Sequence, residues 1–160
     1  MLFWKWGVFA MISLQTGELL KGSIEELLIP SERVAHVQVG NSLEHALLVL
    51  SKSGYTAVPV LDSKYKLHGL ISTPLIMDAI MGIERIEFEK LDQIKVEEVS
   101  DKTTPVLKIY DSFSKGLKSL INHPFVCVEN EEGIFEGILT RRAMLKKLNS
   151  YLQKINHQYE

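Results

Sequence analysis

Two adjacent arginines directly behind a threonine, Thr140-Arg141-Arg142, are the residues of this chain best suited to hold something charged. They follow Gly137-Ile138-Leu139, an apolar run that reads as a buried strand passing into a helix. Thr140 suits the N-cap, because its hydroxyl accepts from backbone N–H groups two or three residues on. The remaining free N–H groups and the helix dipole favour an anion, and guanidinium groups add donors matched to phosphate. The competing assignment makes Arg141 and Arg142 solvated first-turn residues. Positive charge at a helix N-terminus opposes the dipole, however, so the pair stands against the local preference and points to a bound anion.

The elements that must position this pair belong to an ordinary globular chain. Its 160 residues suit one domain or two small halves sharing a core, and 46% hydrophobic content is enough to build one. A net charge of −2 gives no bulk electrostatic case for nucleic acid or anionic lipid as partner. The single cysteine, Cys127, lies in the apolar run Phe125-Val126-Cys127-Val128, which points to a packing role and a reducing, cytoplasmic setting. Residues 1–10 hold both tryptophans but are too short to span a bilayer and carry Lys5 in their middle. Met11-Ile12-Ser13-Leu14 reads as a start of its own, so residues 1–10 are expected to be an upstream extension; a weak interfacial anchor is the competing assignment.

The chain also repeats itself. Ile24-Glu25-Glu26-Leu27 matches Val96-Glu97-Glu98-Val99, with the glutamates read as solvated helix faces. Val37-Gln38-Val39-Gly40-Asn41 matches Leu107-Lys108-Ile109-Tyr110-Asp111, and Asn41 and Asp111 are expected to cap the helices that follow, with Glu44 completing a capping box. One helix lines up Leu43, Ala46, Leu47 and Leu50, the other Phe113, Leu117, Leu120 and Ile121. Strands at Val58-Pro59-Val60 and Val126-Cys127-Val128 come next, then turns at Asp62-Ser63-Lys64 and Asn130–Gly133. Gly69–Ser72 and Gly137–Thr140 then lead into closing helices, the second using Met144, Leu145, Leu148, Tyr151, Leu152 and Ile155. The expected organisation is a lead-in at 1–22, repeats at 23–82 and 94–150, a connector at 83–93 docked through Phe88 and Leu91, and a helix end at 151–160. Halves of this size bury too little alone, so they should pack as one pseudo-symmetric α+β unit.

The order of elements, the strand Tyr55-Thr56-Ala57-Val58-Pro59-Val60 and the doubled Gly-apolar-apolar-Ser/Thr motif resemble the CBS domain pair, or Bateman module. The segments 33–41 and 83–91 resemble, more narrowly, the small stand-alone CBS proteins of Gram-positive bacteria that bind cyclic di-AMP. The resemblance implies tandem CBS repeats related by a pseudo-two-fold axis, with two related clefts. One would join Arg33 and Ala35-His36-Val37 to Tyr55-Thr56-Ala57 and Thr140-Arg141-Arg142; the other would join Pro105–Leu107 to Pro124-Phe125 and Ser72-Thr73-Pro74. Three arginines, two hydroxyls and the Tyr55 ring suit a purine and phosphate, so the first cleft alone is expected to bind a nucleotide. Each of these residues also has a plainer reading: Arg33 in a surface loop, His36 as a satisfied histidine, Tyr55 at a strand end, Ser72 only as a cap.

CBS modules that bind AMP or ATP usually carry an aspartate three residues after the Ser/Thr, where it accepts from the ribose diol. Leu75 and Ala143 stand there in this chain. Cyclic di-AMP has its 3′ oxygens esterified and needs no such acceptor. The reading is therefore a non-enzymatic cyclic di-AMP sensor acting on an effector protein, with an AMP, ADP or ATP energy sensor or a ligand-free interaction module as alternatives. The resemblance further implies a homodimer and an effector such as a stringent-response (p)ppGpp synthetase/hydrolase. No catalytic pair, metal cluster, Walker loop or cofactor site is read from the sequence.

Overall fold

In the computed structural model, which describes residues 2–157, the chain opens with helix α1 (Leu2–Lys21). The next elements are β1 (Ile29–Pro30), β2 (Val37–Gln38), α2 (Leu43–Ser53), β3 (Ala57–Leu61), β4 (Leu67–Ser72) and α3 (Thr73–Ile80). They are followed by α4 (Lys90–Gln93), α5 (Val96–Val99), β5 (Val106–Lys108), α6 (Phe113–Ser119), β6 (Phe125–Glu129), β7 (Phe135–Thr140) and α7 (Arg141–His157). One sheet has the order β2-β3-β4 and the other β1-β7-β6-β5. β2 runs parallel to β3 and β5 parallel to β6, while β3–β4 and β6–β7 are antiparallel hairpins, so the second half repeats the first strand for strand. Pro59 is tolerated in the middle strand because pairing to β2 begins only at Val60.

Each half has its own core, and the two cores exchange a residue. Val96 of the second half is buried with Val37, Leu43, Ala46 and Leu50 of the first. Ile24 of the first half is buried with Leu107, Phe113, Val126 and Met144 of the second. The exchange is fixed by backbone bonds: Val96 N–H donates to Asn41 O at 3.0 Å, and Ile24 N–H to Asp111 O at 3.1 Å. A third cluster, of Val34, Leu61, Leu70, Cys127, Phe135 and Ile138, joins the two sheets. The halves are thus interlocked.

The caps lie one residue later than the pattern suggested. Ser42 Oγ accepts from His45 N–H and Ser112 Oγ from Lys115 N–H, both at 3.2 Å. Asn41 and Asp111 instead close the preceding turns, accepting from Gln38 and Lys108 N–H, each at 2.8 Å. No Asn41–Glu44 capping box forms, because Asn41 has turned away from the helix. Ser42→Ala and Ser112→Ala are each expected to cost about 1 kcal/mol; urea unfolding midpoints would register the loss.

Three further expectations change. Glu97 and Glu98 are more than solvated charges: Glu97 Oε2 accepts from Gly40 N–H at 2.9 Å and Glu98 Oε1 from Lys95 N–H at 2.8 Å. Leu91 packs on the first core, but Phe88 is 64% exposed and does not dock. Ile121, Leu145 and Leu152 also face outward, so the inner face of α7 is Met144, Leu148, Tyr151 and Ile155, at spacings of four, three and four. That face meets α1, where the Thr16 hydroxyl donates to Ile12 O and accepts from Tyr151 at 2.9 Å. Leu19 joins the second core, so α1 docks through its second half while Trp6 and Phe9 stay exposed.

Candidate functional site

β7 delivers the candidate anion site. Ile138 and Leu139 are buried and paired to β6 through Cys127 and Val126, which fixes where the strand ends. Thr140 then caps α7, its Oγ1 accepting from Ala143 N–H at 3.1 Å. The two arginines diverge from there. Arg141 donates through Nε to Leu120 O at 3.0 Å and through a terminal nitrogen to Ile121 O at 3.3 Å. Its guanidinium thus satisfies carbonyls at the end of α6. Arg142 is exposed and has no hydrogen-bond or ion-pair partner in the described structure, which leaves its whole fork for a ligand.

The first half sends a segment across to β7. Ile29 and Pro30 pair with Ile138 and Gly137, and the turn Ser31–Arg33 packs on the same strand. Arg33 at the end of the turn is exposed, Val34 is buried between the sheets, and Ala35 and His36 are half-buried. Val37 is buried in the first core, so only its backbone is on offer. His36 Nδ1 donates to Val34 O at 3.2 Å, which holds the segment in shape. Gly137 permits the close crossing, since a Cβ there would lie 2.1 Å from Ile29 O.

Tyr55, Thr56 and Ala57 follow Gly54, which ends α2 in a left-handed conformation at φ 70°. They line a cavity of about 480 Å³ together with Ser72-Thr73-Pro74, Asp101, Thr104 and His123-Pro124-Phe125. The cavity therefore unites them with residues expected of the second cleft, while Arg141 and Arg142 line a separate, shallow depression with Leu145, Lys146 and Asn149. Asp101 gives the larger cavity negative character: hydrogen bonds from the Thr103 hydroxyl and amide and the Thr104 hydroxyl hold its carboxyl below the usual range. A phosphate is disfavoured there. Ser72 caps α3, its Oγ accepting from Leu75 N–H at 3.4 Å, and neither Leu75 nor Ala143 can accept from a ribose.

Cys127 is buried in the cluster between the sheets, and burial pushes its thiol up to about 12. It is therefore neutral and shielded at pH 8. A disulfide reagent is expected to leave the native thiol unlabelled and to label it on unfolding in urea. Among the described residues, no three His, Cys, Asp or Glu side chains are gathered to hold a metal ion. No described helix is long and apolar enough to cross a membrane.

The crossed segments, the two hairpin sheets and the Ser/Thr-capped helices are the geometry of paired CBS motifs. The CBS domain profile matches residues 24–82. Cyclic di-AMP receptor B of Bacillus subtilis strain 168 is 59% identical over 146 residues, covering 91% of this chain and 99% of that protein. The chain belongs to the CBS domain family. Its fold agrees with solved CBS structures. A CBS domain-containing protein of Bacillus anthracis superposes with a TM-score of 0.78 at 61% identity, over 84% of this chain and 98% of its own. The Listeria monocytogenes CbpB protein in complex with cyclic di-AMP gives 0.76 at 51% identity, over 85% and 98%.

Sequence reasoning passed over one residue of this CBS pair that touches the candidate site, Tyr65, whose ring meets His36. The signal was present in the alignment of the two hairpin turns, where Tyr65 falls opposite Gly133.

Proposed function

We propose that this protein is a non-enzymatic cyclic di-AMP sensor that regulates a partner protein according to ligand occupancy. The observation that carries the reading is the 59% identity to a cyclic di-AMP receptor across 91% of the chain. Individual features of the structure support it. Arg142 projects a free guanidinium from a capped helix start, where N–H groups and dipole add to its charge. Arg33, Ala35, His36 and the Val37 backbone approach β7 from the crossing segment, and Tyr55-Thr56-Ala57, which line a cavity separate from the Arg142 depression, offer an aromatic face and a hydroxyl for adenine. Without a carboxylate at Leu75 or Ala143, a cyclic dinucleotide that has no free diol fits better than AMP or ATP.

The repeats at 23–82 and 94–150 are taken to act as one cytoplasmic module. The output passes to an effector, for which a (p)ppGpp synthetase/hydrolase is the proposed class. Exposed Leu48 on α2 and Leu145 on α7, with Ile121 just beyond α6, support association of two copies through these faces.

Calorimetric titration with cyclic di-AMP, AMP, ATP and cyclic di-GMP tests the reading. Saturable binding of cyclic di-AMP alone, near one per chain, is the expected result. Preference for AMP or ATP would make the protein an energy sensor, and no binding by any of the four would leave an interaction module.

A further inference from the structure

The hairpin turns of the two halves superpose residue for residue. Asp62 Oδ1 accepts from the amides of Lys64 and Lys66 at 2.8 and 3.0 Å. Asn130 Oδ1 accepts from those of Glu132 and Ile134 at 2.9 and 3.0 Å. Gly133 occupies the left-handed position of the second turn at φ 80°, and Tyr65 occupies it in the first at φ 61°. Tyr65 is the one non-glycine residue with positive φ among the described residues. A bulky side chain there crowds its own backbone, and such outliers persist where the surroundings enforce them.

Core packing does not explain the tyrosine, which is 38% exposed and belongs to none of the three apolar clusters. Its contacts lead elsewhere. The ring stands edge-on to His36, with centroids 5.4 Å apart and planes at 63°. Since His36 Nδ1–H donates to Val34 O, Nε2 is left as an acceptor, and the Tyr65 hydroxyl reaches it at 3.5 Å. The backbone oxygen of Tyr65 accepts from Phe135 N–H at 2.9 Å, at the start of the strand that ends in Thr140. One residue thus contacts both the crossing segment and the start of β7, the strand that leads into α7 and Arg142.

We propose that Tyr65 is a positioning residue for the ligand: it holds His36, and through it the Val34–His36 segment, in register with β7. The proposal rests on the cyclic di-AMP reading above. A left-handed turn position lets glycine replace tyrosine without harm to the fold, which separates positioning from stability. Calorimetric titration with cyclic di-AMP and thermal melts would be run on the wild type, Tyr65→Gly and Tyr65→Phe. The expected result is a melting temperature for Tyr65→Gly at or above wild type, with affinity reduced about fivefold or more, the scale of one lost hydrogen-bonded contact. Tyr65→Phe, which keeps the ring edge, should recover part of that affinity. Wild-type affinity in Tyr65→Gly, or a loss matched by a lower melting temperature, would overturn the proposal while leaving the sensor reading intact. Failure of the wild type itself to bind would overturn the sensor reading, and the wild-type titration shows that separately.

Discussion

Arg142→Ala is expected to weaken cyclic di-AMP binding by about 1.5–3 kcal/mol, the range for hydrogen bonds to charged groups. That corresponds to roughly a ten- to hundredfold rise in Kd. The effect should be confined to binding, because Arg142 is exposed and its guanidinium makes no hydrogen bond or ion pair among the described residues. Arg141→Ala should behave differently although it removes the same group one residue earlier. Its guanidinium holds Leu120 O and Ile121 O, so the variant leaves two carbonyls at the end of α6 without their donor. A lower melting temperature and a smaller change in affinity are expected. Titration and thermal melts of both variants decide the matter. Equal affinity losses with unchanged melting would mean that Arg141 leaves its carbonyls to join the ligand, and an unchanged Kd in Arg142→Ala would remove the site from this helix start.

Gly137→Ala should be the most destabilising single methyl in the chain. At φ 151° the position disfavours a side chain, and the added Cβ would lie 2.1 Å from Ile29 O and 3.1 Å from Ile29 C. Both neighbours are backbone, held in the pairing of β1 with β7, so no side-chain rotation relieves the clash. Backbone strain of this kind combined with a lost strand crossing is expected to cost about 3 kcal/mol or more. For a domain of this size that lowers the melting temperature by roughly 6–12 °C. Gly69→Ala probes the equivalent crossing of the first half. There the Cβ would meet Asp101 O at 2.7 Å, so a smaller drop is expected. Gly137→Ala should also weaken ligand binding, because β1 leads straight into the Arg33–Val37 segment. Melting within about 2 °C of wild type would show that the crossing yields more easily than its geometry implies.

The repeat, the strands and the helix faces were legible in the amino-acid sequence because each is a local pattern. Val58-Pro59-Val60 and Val126-Cys127-Val128 announce buried strands, and Leu43, Ala46 and Leu50 recur at helical spacing. Thr140 and Ser72 were readable as caps because each is the hydroxyl residue that closes a Gly-apolar-apolar-Ser/Thr strand motif at a helix start. Local pattern is ambiguous where two neighbours of like chemistry compete. Asn41-Ser42 and Asp111-Ser112 each offer two acceptors, and the chain direction at the turn gives the helix to the serine and the turn to its neighbour. Arg141 and Arg142 are the same residue type, and successive residues on a helix point about 100° apart. That rotation sends one guanidinium to the carbonyls of α6 and the other to solvent.

The exchange of Ile24 and Val96 between the two cores lay beyond any local pattern. Either residue satisfies the same apolar requirement in its own half or in the other, and only the paths of β1 and of the Asp101 segment across the opposite strands decide which. Tyr65 shows the same division. Its place in a turn was written in Asp62-Ser63-Lys64, whereas its left-handed backbone and its contact with His36 arise only when the hairpin is laid beside the crossing segment. Sequence thus determined which residues are apolar, which cap and which carry charge, because those properties belong to single side chains and their neighbours along the chain. Which arginine is free, which core each lead residue enters and which ring Tyr65 meets were decided by tertiary packing, because they depend on distances between segments far apart in the sequence.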